Sequence, residues 1–188
     1  MRKMFGVIAL TLMFTLAACS SEKQNAKDTM IIKPSEFSEE TKQVLNLLEE
    51  EIIFFDIIVD ETIKSSTINV WIYENGQWVS NGETSGNIGK TNSQIAIQIT
   101  ESGYNIFTID ESGHMKYSAP YLNIDFENTT QQLSHKITNP TDIRVGNEIP
   151  LWVKIGNNDS KISITDNFRS SNCSAGIAFT VTFSDKEV

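Results

Sequence analysis

Cysteine, proline and histidine are all scarce: two Cys, four Pro and two His in 188 residues. Two cysteines cannot build the bridged framework of a small disulfide scaffold, so the fold must stand on an apolar core. His114 and His135 lie in no metal-ligand spacing, and no metal or other cofactor is expected. Positive charge is also short, with 15 Lys and Arg against 24 Asp and Glu. An acidic chain repels phosphate backbones, which argues against nucleic-acid binding. Glycine, at 10 residues, follows no period, which excludes collagen-like and low-complexity classes. Apolar runs are short as well. The longest, Met4 to Leu16, falls below the ~20 residues that a spanning helix needs.

That run sits in a recognisable layout. Arg2 and Lys3 precede it and small residues follow it, as in a secretory signal peptide over residues 1–18. The leader holds no acid, so the remaining chain carries 13 basic and 24 acidic side chains, a net charge of −11. Leu16-Ala17-Ala18-Cys19 resembles the bacterial lipobox. That resemblance implies diacylglyceryl transfer to the Cys19 thiol and cleavage before it. The physical sense is that one acyl chain holds a membrane marginally, whereas two or more anchor stably. The chain beyond the leader resembles small lipoproteins of Gram-positive bacteria, which implies a location and no activity. The expectation is a protein anchored through lipid on the extracytoplasmic side of a cell membrane, with an envelope protein or a glycan as its partner.

If Cys19 carries lipid, Cys173 has no partner. It lies in Ser170-Ser171-Asn172-Cys173-Ser174, which reads as a loop holding a spectator thiol. Residues 19–36 read as the lipidated cysteine and a polar tether, and 37–188 as a single β-rich domain. Ser35 or Ser38 can cap a helix from about Ser38 to Glu50, with Glu39 and Glu40 in its first turn and Phe37, Thr41, Val44, Leu45 and Leu48 on one stripe.

After Glu51 the pattern turns to β-branched and aromatic runs between turn residues. Ile52 to Val59 reads as a buried strand. Thr67 to Tyr73 alternates and turns through Asn75-Gly76 into Trp78-Val79, because Asn-Gly accepts the positive φ angles of a type I′ turn. Further strands are expected around Ile95, Ile97 and Ile99; at Tyr104 to Ile109; at His114 to Tyr117; and at Leu122, Ile124 and Phe126. Two more carry Leu151, Val153 and Ile155, alternating with Trp152 and Lys154, and Ile177, Phe179, Val181 and Phe183. Asn128 to Glu148 reads as irregular, a long connection or a second short helix. Short strands without intervening helices predict an all-β, antiparallel sandwich, Ig-like or jelly-roll-like, preceded by one helix.

Motifs for catalysis are thin, and no enzyme activity is expected; an envelope hydrolase is the weaker reading. Thr84 to Thr91 ends in Gly-Lys-Thr like a phosphate-binding loop. Its first glycine is replaced by Thr84, and a strand follows where a helix is needed, so the stretch reads as a Gly/Ser/Asn hairpin loop. Asn157-Asn158-Asp159-Ser160 and Asp166-Asn167 offer oxygens for calcium without an EF-hand spacing, and read as turns. The aromatic set is the candidate binding site. Trp71, Tyr73 and Trp78 fall opposite Ile68, Val70 and Ile72, so if the aliphatic set faces the core, the aromatic set forms an outward platform for a sugar ring, as in a carbohydrate-binding module, or for a partner's apolar surface.

Overall fold

A computed structural model describes residues 29–47, 51–88, 92–100, 102–111, 113–120 and 124–188. The elements are β1 (Ile31–Pro34), α1 (Glu39–Asn46), β2 (Glu51–Ile58), β3 (Ser65–Glu74), β4 (Gln77–Asn87), β5 (Asn92–Ile99), β6 (Gly103–Asp110), β7 (Gly113–Pro120), β8 (Gln131–Lys136), β9 (Thr141–Asp142), β10 (Glu148–Asn157), a 3-10 turn (Phe168–Ser170) and β11 (Ala175–Ser184). They form two antiparallel sheets packed as a sandwich, as expected. Sheet A runs β7-β6-β5-β2-β1-β9 and sheet B runs β4-β3-β11-β10-β8.

Alternation builds the interior. Ile53, Phe55 and Ile57 on β2, Ile95 and Ile97 on β5, and Ile68 and Val70 on β3 meet Phe179, Val181 and Phe183 of β11 between the sheets. Asn75 (φ 51) and Gly76 (φ 84) both take the left-handed backbone of the expected hairpin turn. The register of β3 with β4 slips between Val70 and Trp71, with Asn81 as the extra residue on β4. Because the bulge lies on the partner strand, the two-residue period of β3 continues through it.

Four local expectations are corrected. Ile31–Pro34, read as the end of the tether, is a strand of sheet A: it pairs with β2 and β9, and Ile32 is fully buried. Three apolar side chains are too few to show a period, but a strand this short needs only neighbours on both sides. Ile124 to Phe126 forms no strand, although both side chains pack on the core, and Leu122 lies outside the described residues. The irregular region instead supplies β8 and β9, whose exposed polar sequences suit sheet edges. Thr84 to Asn87, read as a hairpin loop, pairs with Ser65 to Ile68 as the end of β4.

The helix is shorter than its periodicity predicts. Ser38 caps it by accepting from the Thr41 N–H, and none of its residues is buried. Val44 is 60% exposed and Leu47 79%. Phe37, just before it, packs edge-on against Phe54 of sheet A. Leu48 to Glu50 lie outside the described residues, as do the leader and Cys19.

Candidate functional site

Sheet B has a second dry face. From Asn158 to Ser174 the chain crosses the outside of the sheet as a strap, and its Ile162, Ile164, Phe168 and Cys173 pack on Val153, Ile155 and Ala178. The base of the strap is tied by the Asn157 side-chain amide, which donates to Asp159 and to the Asn172 carbonyl. Asn172 also donates to Asp159 at 2.6 Å, and the Ser174 N–H closes back on the Gly156 carbonyl. The Asn157–Ser160 cluster is therefore a loop staple in this structure, its oxygens turned to neighbouring amides.

The expected platform residues all lie on this face, and the strap changes what they can do. Tyr73 and Trp78 are a cross-strand pair with ring centroids 5.7 Å apart, and Trp78 meets Phe168 edge to face at 4.8 Å. Trp78 reaches that depth over Gly176, where a Cβ would stand 2.6 Å from the indole. Trp71 points its indole N–H at Glu148 Oε1 and Thr180 Oγ1. All three aromatic side chains are half-buried, so a bare flat surface is not what they present. Large aromatic rings on an outward face gain by being covered, and the strap that covers them is tied down at its base.

At the other end of the strap, Glu148 and Arg169 form a two-pronged ion pair with contacts of 2.6 and 2.9 Å. The guanidinium lies 4.2 Å from the Trp71 ring and 4.4 Å from Phe168. Thr180 Oγ1 donates to the same carboxylate at 2.7 Å. Partial burial alone raises the Glu148 pKa, but the Arg169 and Thr180 hydrogen bonds and the Arg169 charge outweigh it and hold the carboxyl below its usual range. Such a group stays ionised and satisfied, which suits a latch rather than an acid or base.

Other candidate residues are dispersed. Cys173 is buried, and desolvation pushes its thiol pKa up to about 11, so it holds the neutral, unreactive form. His114 on β7 and His135 on β8 are both exposed and sit in different sheets. Among the described residues no three His, Cys, Asp or Glu gather as a metal site. Tyr104 is buried between the sheets with its hydroxyl accepting from the Asn81 amide; burial, reinforced by nearby Tyr117, raises its pKa to about 12.

The strap, Glu148 and Arg169 were not visible from local pattern. The usable signal was small: Ala178 and Thr180 are compact outward residues on a strand whose inward set is bulky, as if making room for a covering layer.

A family model described as YgaN domain matches residues 31–175, from the first residue of β1 to the first of β11. The chain belongs to the YgaN domain family. No curated protein and no solved structure matches the chain. The YgaN domain therefore takes in ten of the eleven described strands and the whole strap, with the residues before Ile31 lying outside it.

Proposed function

We propose that this chain is a lipid-anchored extracytoplasmic protein that works by binding a partner at the cell envelope. The observation that carries the reading is the leader ending in Leu16-Ala17-Ala18-Cys19. The YgaN domain starts a dozen residues later, and twelve residues span at most about 40 Å, so the sandwich would stay near the bilayer surface. The polar groups of the described site favour binding over catalysis. Glu148 and Asp159 are engaged by neighbouring side chains, and the Cys173 thiol is held neutral.

Intact-mass analysis of the protein from bacterial membranes tests the anchor. An acyl increment on a chain beginning at Cys19 is the expected result, with Cys19→Ala leaving an uncleaved or shed protein. An unmodified wild-type mass would overturn the reading. In-cell crosslinking followed by mass spectrometry then identifies an envelope partner. A second reading, a carbohydrate-binding module, draws on the half-exposed rings of Trp71, Tyr73 and Trp78 beside Glu148 and Arg169, since aromatic rings stack on sugars and charged groups bond their hydroxyls. A glycan array separates the two: retained glycans that are lost with Trp71→Ala favour the module.

A further inference from the structure

The two sheets part at one end of the sandwich, where the close of β4 faces the start of β5, the close of β6 and the start of β7. A cleft of about 310 Å3 opens there, room for about ten water volumes. Its deep wall is aliphatic, from Ile57 and Ile95, with the buried Ser66 beside them; its rim carries Asn87, Asp110, His114 and Met115. Ser93 is the anomaly. It opposes Ile57 and occupies the inward row of β5 that continues with Ile95 and Ile97, where the pattern calls for an apolar side chain. Its Oγ is buried in the cleft wall with no hydrogen-bond partner among the described residues. A buried hydroxyl without a partner is destabilising, so one that lines a cavity points to an oxygen or nitrogen arriving from outside.

The surroundings narrow the class. Gly86 leaves the β4 side of the cleft open; a Cβ there would come within 3.4 Å of the Met115 methyl. An anion is disfavoured by the aliphatic wall and by the net charge of −9. Phosphate is disfavoured again because Gly86 and Asn87 are paired strand residues and do not start a helix. We propose that the cleft binds a small neutral molecule, with a short aliphatic body against Ile57 and Ile95 and a carbonyl or hydroxyl oxygen accepting from Ser93 Oγ–H. The proposal does not rest on acylation at Cys19, and Cys19→Ala should bind the same probe equally well.

The test uses the full 15N-labelled chain in lipid nanodiscs, titrated with N-butylacetamide and, as its charged counterpart of similar length, butyrate. Saturable shifts of the Ser66, Ser93 and Ile95 amides with N-butylacetamide, weakened about tenfold by Ser93→Ala and much smaller with butyrate, are the expected result. Gly86→Leu should fill the cleft and abolish the shifts. Because Ser93→Ala removes an unpaired hydroxyl, its melting temperature should not fall, which keeps the test readable if Gly86→Leu does not fold. No saturable shift in the wild type would overturn the proposal, leaving water as the partner of Ser93. Equal affinity in Ser93→Ala, or tighter binding of butyrate, would also overturn it.

Discussion

The two sheets present outer faces of different amino-acid make-up and opposite fate. On sheet B, Val153, Ile155 and Ala178 are buried because the strap brings Phe168, Ile162 and Ile164 over them. On sheet A, Phe54 and Phe107 stay half-buried among polar side chains: Gln94 and Ser35 donate to Asp56, Asn105 donates to Gln98, and Ser118 donates to Asn105. The Lys116 ammonium lies 5.5 Å from the Phe107 ring. Alternation along a strand decides which residues oppose each other. Whether the outward set is wet is decided by a segment elsewhere in the chain.

The contrast can be broken by truncating one ring on each face. Phe168→Ala removes a ring that is 1% exposed and fills the space under the strap, and should cost about 3 to 5 kcal/mol. Phe107→Ala on sheet A should cost about 1 to 2 kcal/mol, since its ring is already part hydrated. Urea melts of the protein lacking residues 1–19 compare them, and equal losses would mean that the strap adds no core.

Next in size is Gly176→Ala. The new methyl would stand 2.6 Å from the Trp78 ring, and the indole must move against Phe168, at about 1 to 3 kcal/mol. Tryptophan fluorescence should shift with the loss of stability; an unchanged spectrum and midpoint would show that Trp78 is free to move.

The Glu148–Arg169 pair should matter less, because each side chain is about a third exposed. Discounted for solvent screening, Glu148→Gln should cost about 1 kcal/mol at neutral pH. The sign with pH follows from the lowered folded-state pKa. The carboxylate's contribution is present above the unfolded value of about 4.3, and is lost as pH falls through the lower folded value. Melting curves of wild type and Glu148→Gln should converge under acid conditions, and a gap that widens there would reverse the argument. Smallest of all, Leu47→Glu at the exposed C-cap of α1 should change stability by less than about 0.5 kcal/mol. A larger loss would mean that the helix packs.

Residues 148–157 show where legibility ended. Leu151, Val153 and Ile155 read as one face alternating with Trp152 and Lys154. In the structure the register with β11 slips between Pro150 and Trp152, leaving Leu151 as the extra residue. Leu151 and Trp152 both enter the space between the sheets, while Val153 and Ile155 turn outward under the strap. A bulge adds one residue and inverts every later position, yet leaves no mark in a run where both neighbours are apolar. On β3, whose own period is unbroken, alternation separated Ile68, Val70 and Ile72 from Trp71 and Tyr73, and in the structure the aliphatic set is the buried one. The candidate aromatic site was legible to the same extent: its face could be read, its covering layer could not.

What the sequence by itself determined is local: the antiparallel sandwich, from period-two runs between turns; the hairpin at Asn75-Gly76, from the one dipeptide that accepts its backbone; and the Ser38 cap. Tertiary structure alone decided that a polar-looking loop seals the outside of sheet B, and that Ile31–Pro34 belongs to sheet A. It also left Ser93 Oγ in a cleft without a partner among the described residues. The reason is range. Backbone preference and alternation act between residues a few positions apart, whereas burial depends on contacts such as Trp71 with Arg169 or Ile32 with Thr141, about a hundred residues apart along the chain.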